Sequence, residues 1–250
     1  MSRAHIHWLI GDSLPEHVAL LEAVPGVGNV GKLVVDALVE NNPSTLIARI
    51  LHPDMPPHST LDKDGLLAPP SMLVHRVMLP DGRYVVTVTG ELQPMTATGQ
   101  HEVAQAILEM ANSTPQVLVL AGLASEVEEK AIHVICADTK VRSNLQANDI
   151  EVSKSQPEAG MIGVAGLLVS LSSIHKVPAV ALVADTVGAS ADVIAADRLG
   201  RWIEEALGLP LGIDLDTTEE TARKLLASIE VSGSIEEHLG MPAEADDFYV

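Results

Sequence analysis

The sequence predicts an α/β fold: one central sheet covered by helices on both faces. Strand-like and helix-like segments alternate along the 250 residues. Several strand-like segments, among them QVLVLAG (116–122) and AVALVAD (179–185), are apolar throughout instead of alternating. That is the pattern of strands buried on both sides. Hydrophobic residues make up 47% of the chain and aromatics only 2%, so Val, Leu, Ile, Ala and Met must fill the core.

Each element follows from local pattern. IHWLI (6–10) and HVALLEA (17–23) are short apolar runs that read as strands, the second followed by the glycine-rich turn PGVGNVG. Leu33, Val34, Ala37 and Leu38 have helical spacing within residues 32–42, and Asn41-Asn42-Pro43 stops that helix. TLIARIL (45–51) is strand-like, and the proline-rich stretch 52–65 is a loop. Residues 71–79 and 83–90, joined at Pro80-Asp81-Gly82, read as a β-hairpin. A helix starting at Thr98 and Gly99 leads to the strand 116–122. Residues 130–138 form another strand and 141–149 a short helix. Residues 159–176 read as an apolar, glycine-studded helix before the strand 179–185. Two amphipathic helices follow, at 191–208 and 218–230.

No internal repeat or low-complexity linker divides residues 1–230, which read as a single domain. Residues 231–250 differ. They carry Glu236, Glu237, Glu244, Asp246 and Asp247 with no Lys or Arg, and Gly233, Gly240 and Pro242 break any long helix. This stretch reads as a short helix at most, then a mobile acidic tail. The chain has five aromatic residues, and two of them, Phe248 and Tyr249, lie within its last three positions.

Composition narrows the function classes. The formal net charge is -19, which disfavours nucleic acid. No run of eighteen apolar residues offers a membrane span, and the N-terminus lacks the pattern of a signal peptide. A single cysteine, Cys136, excludes an intrachain disulfide and fits a reducing cytoplasm.

The loop PGVGNVGKL supports more than one reading. Gly26, Gly28 and Gly31 spell G-x-G-x-x-G between a strand and a helix, with Asp54 downstream where an acid could hold a ribose. Gly26, Gly31 and Lys32 also approach a phosphate loop, but Leu33 stands where a magnesium-binding hydroxyl belongs. The alternative is a tight strand-to-helix turn whose glycines permit positive φ and close packing. Glu91 and Asp185 follow or end strands, where open α/β sheets place ligands; capping of nearby loops or helices is the competing role. His5 and His7, His52 with Asp54 and His58, and His133 with Cys136 and Asp138 show no zinc-ligand spacing. No nucleophile elbow is present. No metal or cofactor is expected.

Three stretches, LLEAVPGVGNVGKLVVDAL, VTGELQPMTATGQHEVAQAILEMA and AGMIGVAGLLVSLSSIHKVPAVALVADTVG, together resemble the proteasome assembly chaperone family in its archaeal and actinobacterial branch. They cover most of residues 18–188 in order. The resemblance implies a three-layer α/β fold with a mixed central sheet flanked by helices, similar to the phosphorylase/hydrolase-like fold. It also implies a cytoplasmic protein that forms homo-oligomers and binds the α-subunits of the proteasome core particle; with the chain's ending, the expectation is a non-enzymatic assembly chaperone or ATP-independent activator. Proteins acting on that α-ring often end in hydrophobic–Tyr–any residue, and Phe248, Tyr249 and Val250 match position by position. The competing expectation is a nucleoside- or nucleotide-binding enzyme built on Gly26, Gly28, Gly31 and Lys32 with Glu91 and Asp185.

Overall fold

A computed structural model describes residues 2–62, 64–126, 130–154, 160–188 and 190–215. Ten strands and five helices follow one another among them. They are β1 (His5–Trp8), β2 (Ala19–Ala23), α1 (Val30–Asn41), β3 (Ser44–Leu51), β4 (Thr60–Leu61), β5 (Leu67–Ala68), β6 (Met72–Met78) and β7 (Tyr84–Thr89). Then come α2 (Ala97–Met110), β8 (Val117–Ala124), β9 (Ile132–Ile135), α3 (Thr139–Ala147), α4 (Gly163–His175), β10 (Ala179–Thr186) and α5 (Val193–Leu207).

Eight strands form one sheet in the order β1-β3-β6-β7-β2-β8-β10-β9. Its centre, β7-β2-β8-β10, is parallel. The outer pairings are antiparallel. The sheet is therefore mixed, as the family resemblance implied. The predicted hairpin is the β6–β7 pair, with Leu73 opposite Thr89 and Met78 opposite Tyr84.

Both faces are covered. Leu20, Val86, Val88, Val117, Val119 and Ala181 point into one apolar layer, which α2 and α4 complete with residues such as Val103, Ile107, Val164 and Leu168. Leu21, Val85, Leu118, Leu120 and Leu182 point the other way, into a layer closed by α1 and α5 through Leu33, Leu38, Ala196 and Leu199. This two-sided burial is why β2, β8 and β10 carry no polar alternation.

Several boundaries differ from the sequence reading. β1 ends at Trp8, leaving Leu9 and Ile10 exposed. β9 is confined to Ile132–Ile135, the four residues that pair with β10. The helix expected from residue 159 begins at Gly163. Within the stretch 52–65 read as a plain loop, β4 forms and pairs with β5 just beyond it, in a small hairpin whose Leu61 and Leu67 are exposed. The expected helix 218–230 and the tail 231–250 lie outside the described residues. No helix among the described residues is long and apolar enough to cross a membrane.

Helix α1 sits unusually close to β8. A Cβ on Gly31 would overlap the carbonyl oxygen of Leu120, and one on Gly122 would overlap the carbonyl oxygen of Val27. Backbone offers no relief of the kind a flexible side chain gives. Gly122→Ala is expected to lower the unfolding free energy by about 1–3 kcal/mol, read as a reduced urea midpoint. An unchanged midpoint would contradict this packing.

Candidate functional site

The parallel strands β7, β2, β8 and β10 all end on one edge of the sheet, and β3 runs in the same direction. The connections leaving that edge bring together most of the residues singled out from sequence. β2 runs into Val24 and Pro25, then a single 3-10 turn, Val27–Asn29, which opens α1. Gly28 has φ +64°, a conformation that disfavours side chains with Cβ. Asn29 also has positive φ, at 47°, which asparagine tolerates better than most residues.

The turn is bonded to its own chain. Asn29 N–H donates to the Gly26 carbonyl at 2.8 Å, and Gly26 N–H donates to Asn29 Oδ1 at 3.2 Å. Asn29 Nδ2 donates to the Ser190 carbonyl at 2.9 Å. Asp192 N–H donates to the Gly28 carbonyl at 2.8 Å. A Cβ on Gly28 would lie 2.7 Å from Thr186 Oγ1. The carboxylate of Asp192 accepts from Thr186 Oγ1 at 2.6 Å, from Val187 N–H at 3.1 Å and from Ala195 N–H at 2.9 Å, capping α5. Burial pushes its carboxyl up, but these bonds and the charge of Arg198 outweigh it and hold the carboxyl below the usual range. The glycines therefore let the turn close onto the β10–α5 connection, and a carboxylate sits where a phosphate loop would need positive potential.

Lys32 is held in the same way. Its ammonium lies 2.6 Å from Asp36 and 3.1 Å from Glu91, with 11% of its side chain exposed. Burial works to lower its pKa, but the two carboxylates outweigh it, so the ammonium stays charged above its usual range. The structure thus joins two groups from separate sequence motifs, Lys32 of the glycine loop and Glu91 beyond β7.

Asp185 stands apart from them. β7 and β10 are three strand positions apart, roughly 14 Å across the sheet. Asp185 is buried, with Oδ2 accepting from Ala131 N–H at 2.9 Å and Oδ1 3.1 Å from His133 Nε2. Arg198 donates to its backbone carbonyl. It ties the start of the edge strand β9 to the end of β10. It caps no helix; that role falls to Asp192 for α5.

Asp54 likewise serves the fold. Its Oδ2 accepts from Thr96 N–H at 3.0 Å and from the Thr96 hydroxyl, fastening the loop after β3 to the start of α2. His52 accepts from Asp54 N–H through Nδ1 at 3.0 Å, so Nε2 carries the proton donated to Glu102 at 2.6 Å. Gln93 bridges the Pro25 carbonyl and Val164 N–H, linking the loop after β2 to the start of α4. Cys136 is half-buried, with Sγ 3.7 Å from the Asp138 carbonyl. Among the described residues no group of three or more His, Cys, Asp or Glu side chains is arranged to hold a metal ion. Phe248, Tyr249 and Val250 lie outside the described residues.

One residue escaped the sequence reading. Glu22, in the middle of the parallel sheet, has no exposure, and neither carboxyl oxygen has a hydrogen-bond partner. The signal was present: a glutamate inside a strand whose other residues are apolar, in a sheet predicted to be covered on both faces.

Asp185→Ala is expected to remove about 1.5–3 kcal/mol of stability, since it deletes a charged acceptor of hydrogen bonds. The loss should concentrate at the sheet edge, as faster hydrogen exchange at the amides of Ile132–Ile135. Uniform exchange across the sheet would contradict the tethering role. Millimolar phosphate, nucleosides and nucleotides are expected to leave the melting temperature unchanged; a rise would favour a ligand role for the glycine loop.

Comparison with known proteins places the chain. The model of the PAC2 family matches residues 20–231. The chain is 23% identical over 235 residues to an uncharacterized protein of Methanocaldococcus jannaschii, covering 92% of this chain and 88% of that one. Among solved structures it is similar to Pyrococcus furiosus PbaB, an archaeal proteasome activator, with a TM-score of 0.71, 20% identity, and coverage of 94% of this chain and 100% of that one. It is also similar to Pyrococcus furiosus PbaA, an archaeal homolog of proteasome-assembly chaperone, with a TM-score of 0.69, 19% identity, and coverage of 95% and 98%. A proteasome-assembly chaperone homologue of Mycobacterium tuberculosis gives a TM-score of 0.60 at 18% identity, with coverage of 88% and 96%. With more than four fifths of its length matched by the family model, the chain belongs to the PAC2 family.

Proposed function

We propose that this protein is a non-enzymatic partner of the proteasome core particle, an assembly chaperone or ATP-independent activator. It grips the α-ring through Phe248, Tyr249 and Val250. The observation that carries this reading is the ending itself, hydrophobic–Tyr–any residue behind an acidic, glycine-broken stretch, in a member of the PAC2 family. The relatives described as a proteasome activator and as a homolog of proteasome-assembly chaperone support it.

The chemistry is that of a short peptide entering a pocket between two α-subunits. Val250 contributes a terminal carboxylate to pair with a lysine, a charge-assisted contact. Tyr249 contributes a ring to bury and a hydroxyl to anchor. Phe248 adds apolar area, and Asp246 and Asp247 favour a basic rim and speed encounter. Burying each aromatic is worth about 1.5–3 kcal/mol, and ordering the tail cancels much of that. A single tail is therefore weak. A homo-oligomer presenting several tails gains roughly a hundredfold or more through effective concentration. Twenty residues, fully extended, reach at most about 65–70 Å, enough to span from a body to a ring surface. A cytoplasmic location agrees with the single cysteine.

The test is retention of the core particle by the full-length protein and by a variant lacking residues 248–250. Loss of retention in the variant, with its melting temperature and solution mass unchanged, is expected. Equal retention would reject docking through the tail.

A further inference from the structure

Glu22 lies on β2 opposite Val88 of β7 and Val119 of β8. Side chains alternate along a strand, so Glu22 shares the face of Leu20, in the apolar layer beneath α2 and α4. What α2 and α4 bury there is apolar or glycine, except Ser172, whose hydroxyl donates to the Val169 carbonyl of its own helix. Among the described residues no charge answers Glu22 from the surrounding elements. On α2, His101 and Glu109 are exposed, and Glu102 turns to His52 and Arg3. On α4 the titratable side chain is His175, in the last turn. β7 has Tyr84 at its start, beneath Arg76, and β8 has no titratable residue. Among the described residues the other buried acid, Asp185, has the partners Glu22 lacks.

An ionised carboxylate in such a site forfeits its hydration and recovers nothing; the group neutralises instead. We propose that the native fold carries Glu22 as a neutral carboxylic acid, so that folding takes up one proton and alkaline pH loosens the α2–α4 layer from the sheet. Burial, the cause of the shift, raises the Glu22 pKa from its ordinary 4.5 to about 8. The sign follows. Below pH 4.5 the carboxyl is protonated in both folded and unfolded chains, and its contribution is fully present. Between 4.5 and about 8 only the unfolded chain ionises, and each pH unit draws the equilibrium about tenfold toward unfolding. The contribution is lost by the time pH passes the folded-state value, and the dependence then flattens.

Full-length protein and Glu22→Gln, which keeps the shape but not the proton, are compared by urea unfolding from pH 5 to pH 9. The ratio of their folding constants, native over variant, should fall roughly tenfold per pH unit between pH 5 and pH 7 and by several hundredfold in all by pH 9, levelling off above about 8. A ratio independent of pH overturns the proposal. Should the glutamine variant fail to fold, carbon-13 labelling of glutamate carboxyls in the unaltered protein decides the matter. One carboxyl carbon should titrate near 8 while the chain stays folded; glutamate carboxyls all titrating below about 6 overturn it, since exposed glutamates titrate near 4.3.

Discussion

The seat of α1 on β8 is the constraint from which the rest of the molecule follows. Gly31 lets the helix approach the Leu120 carbonyl, and Gly122 lets the strand approach the Val27 carbonyl. Backbone-to-backbone contact at this range leaves no latitude. The turn between β2 and α1 must run tight against the sheet edge, and Gly28 and Asn29 must adopt positive φ to do so. Once there, the turn meets the β10–α5 connection, and Asp192 fastens both. In many open α/β sheets this edge is the ligand crevice. Here the chain's own carbonyls, hydroxyls and carboxylate take up the space around Gly28.

The same two-sided cover explains the polar groups at that edge. Lys32 is answered by Asp36 and Glu91, Asp185 by Ala131 and His133, and Asp54 by Thr96. Lys32 lies in the first turn of α1, Asp185 near the end of β10 and Asp54 in the loop after β3, and each bonds its own segment to another. Glu22 is the exception, a carboxyl that the layers enclose without a partner.

Much of the fold was legible in the sequence because burial on both faces leaves a plain mark. QVLVLAG and AVALVAD announce β8 and β10, and Asn41-Asn42-Pro43 ends α1 where expected, within a residue or two. What escaped depended on contacts between distant segments. The motif Gly26-x-Gly28-x-x-Gly31 has the same letters whether its amides face a phosphate or its α-carbons face Leu120 and Thr186. The pairing of Lys32 with Glu91 spans 59 positions and has no local signature. The length of β9 is set by its pairing with β10, not by the apolar run 130–138. Glu22 shows the reverse case: its letter was plain, but its meaning required knowing that β2 lies between β7 and β8.

Around Gly28 and Lys32 the sheet edge is taken up by internal bonds, and the proposed contact with a partner falls to the ending Phe248-Tyr249-Val250 of a chain with net charge -19. In the proposed mechanism the body is a platform and the last three residues are the grip. Adding one glycine after Val250 tests this most directly, because it keeps every side chain and moves only the terminal carboxylate, by one residue or about 3.5 Å. Measured against the core particle, the extended protein should bind at least tenfold more weakly than the native one, the equivalent of losing one charge-assisted contact. Equal affinity would show that the terminus is not the grip and would send the search for the binding surface back to the body.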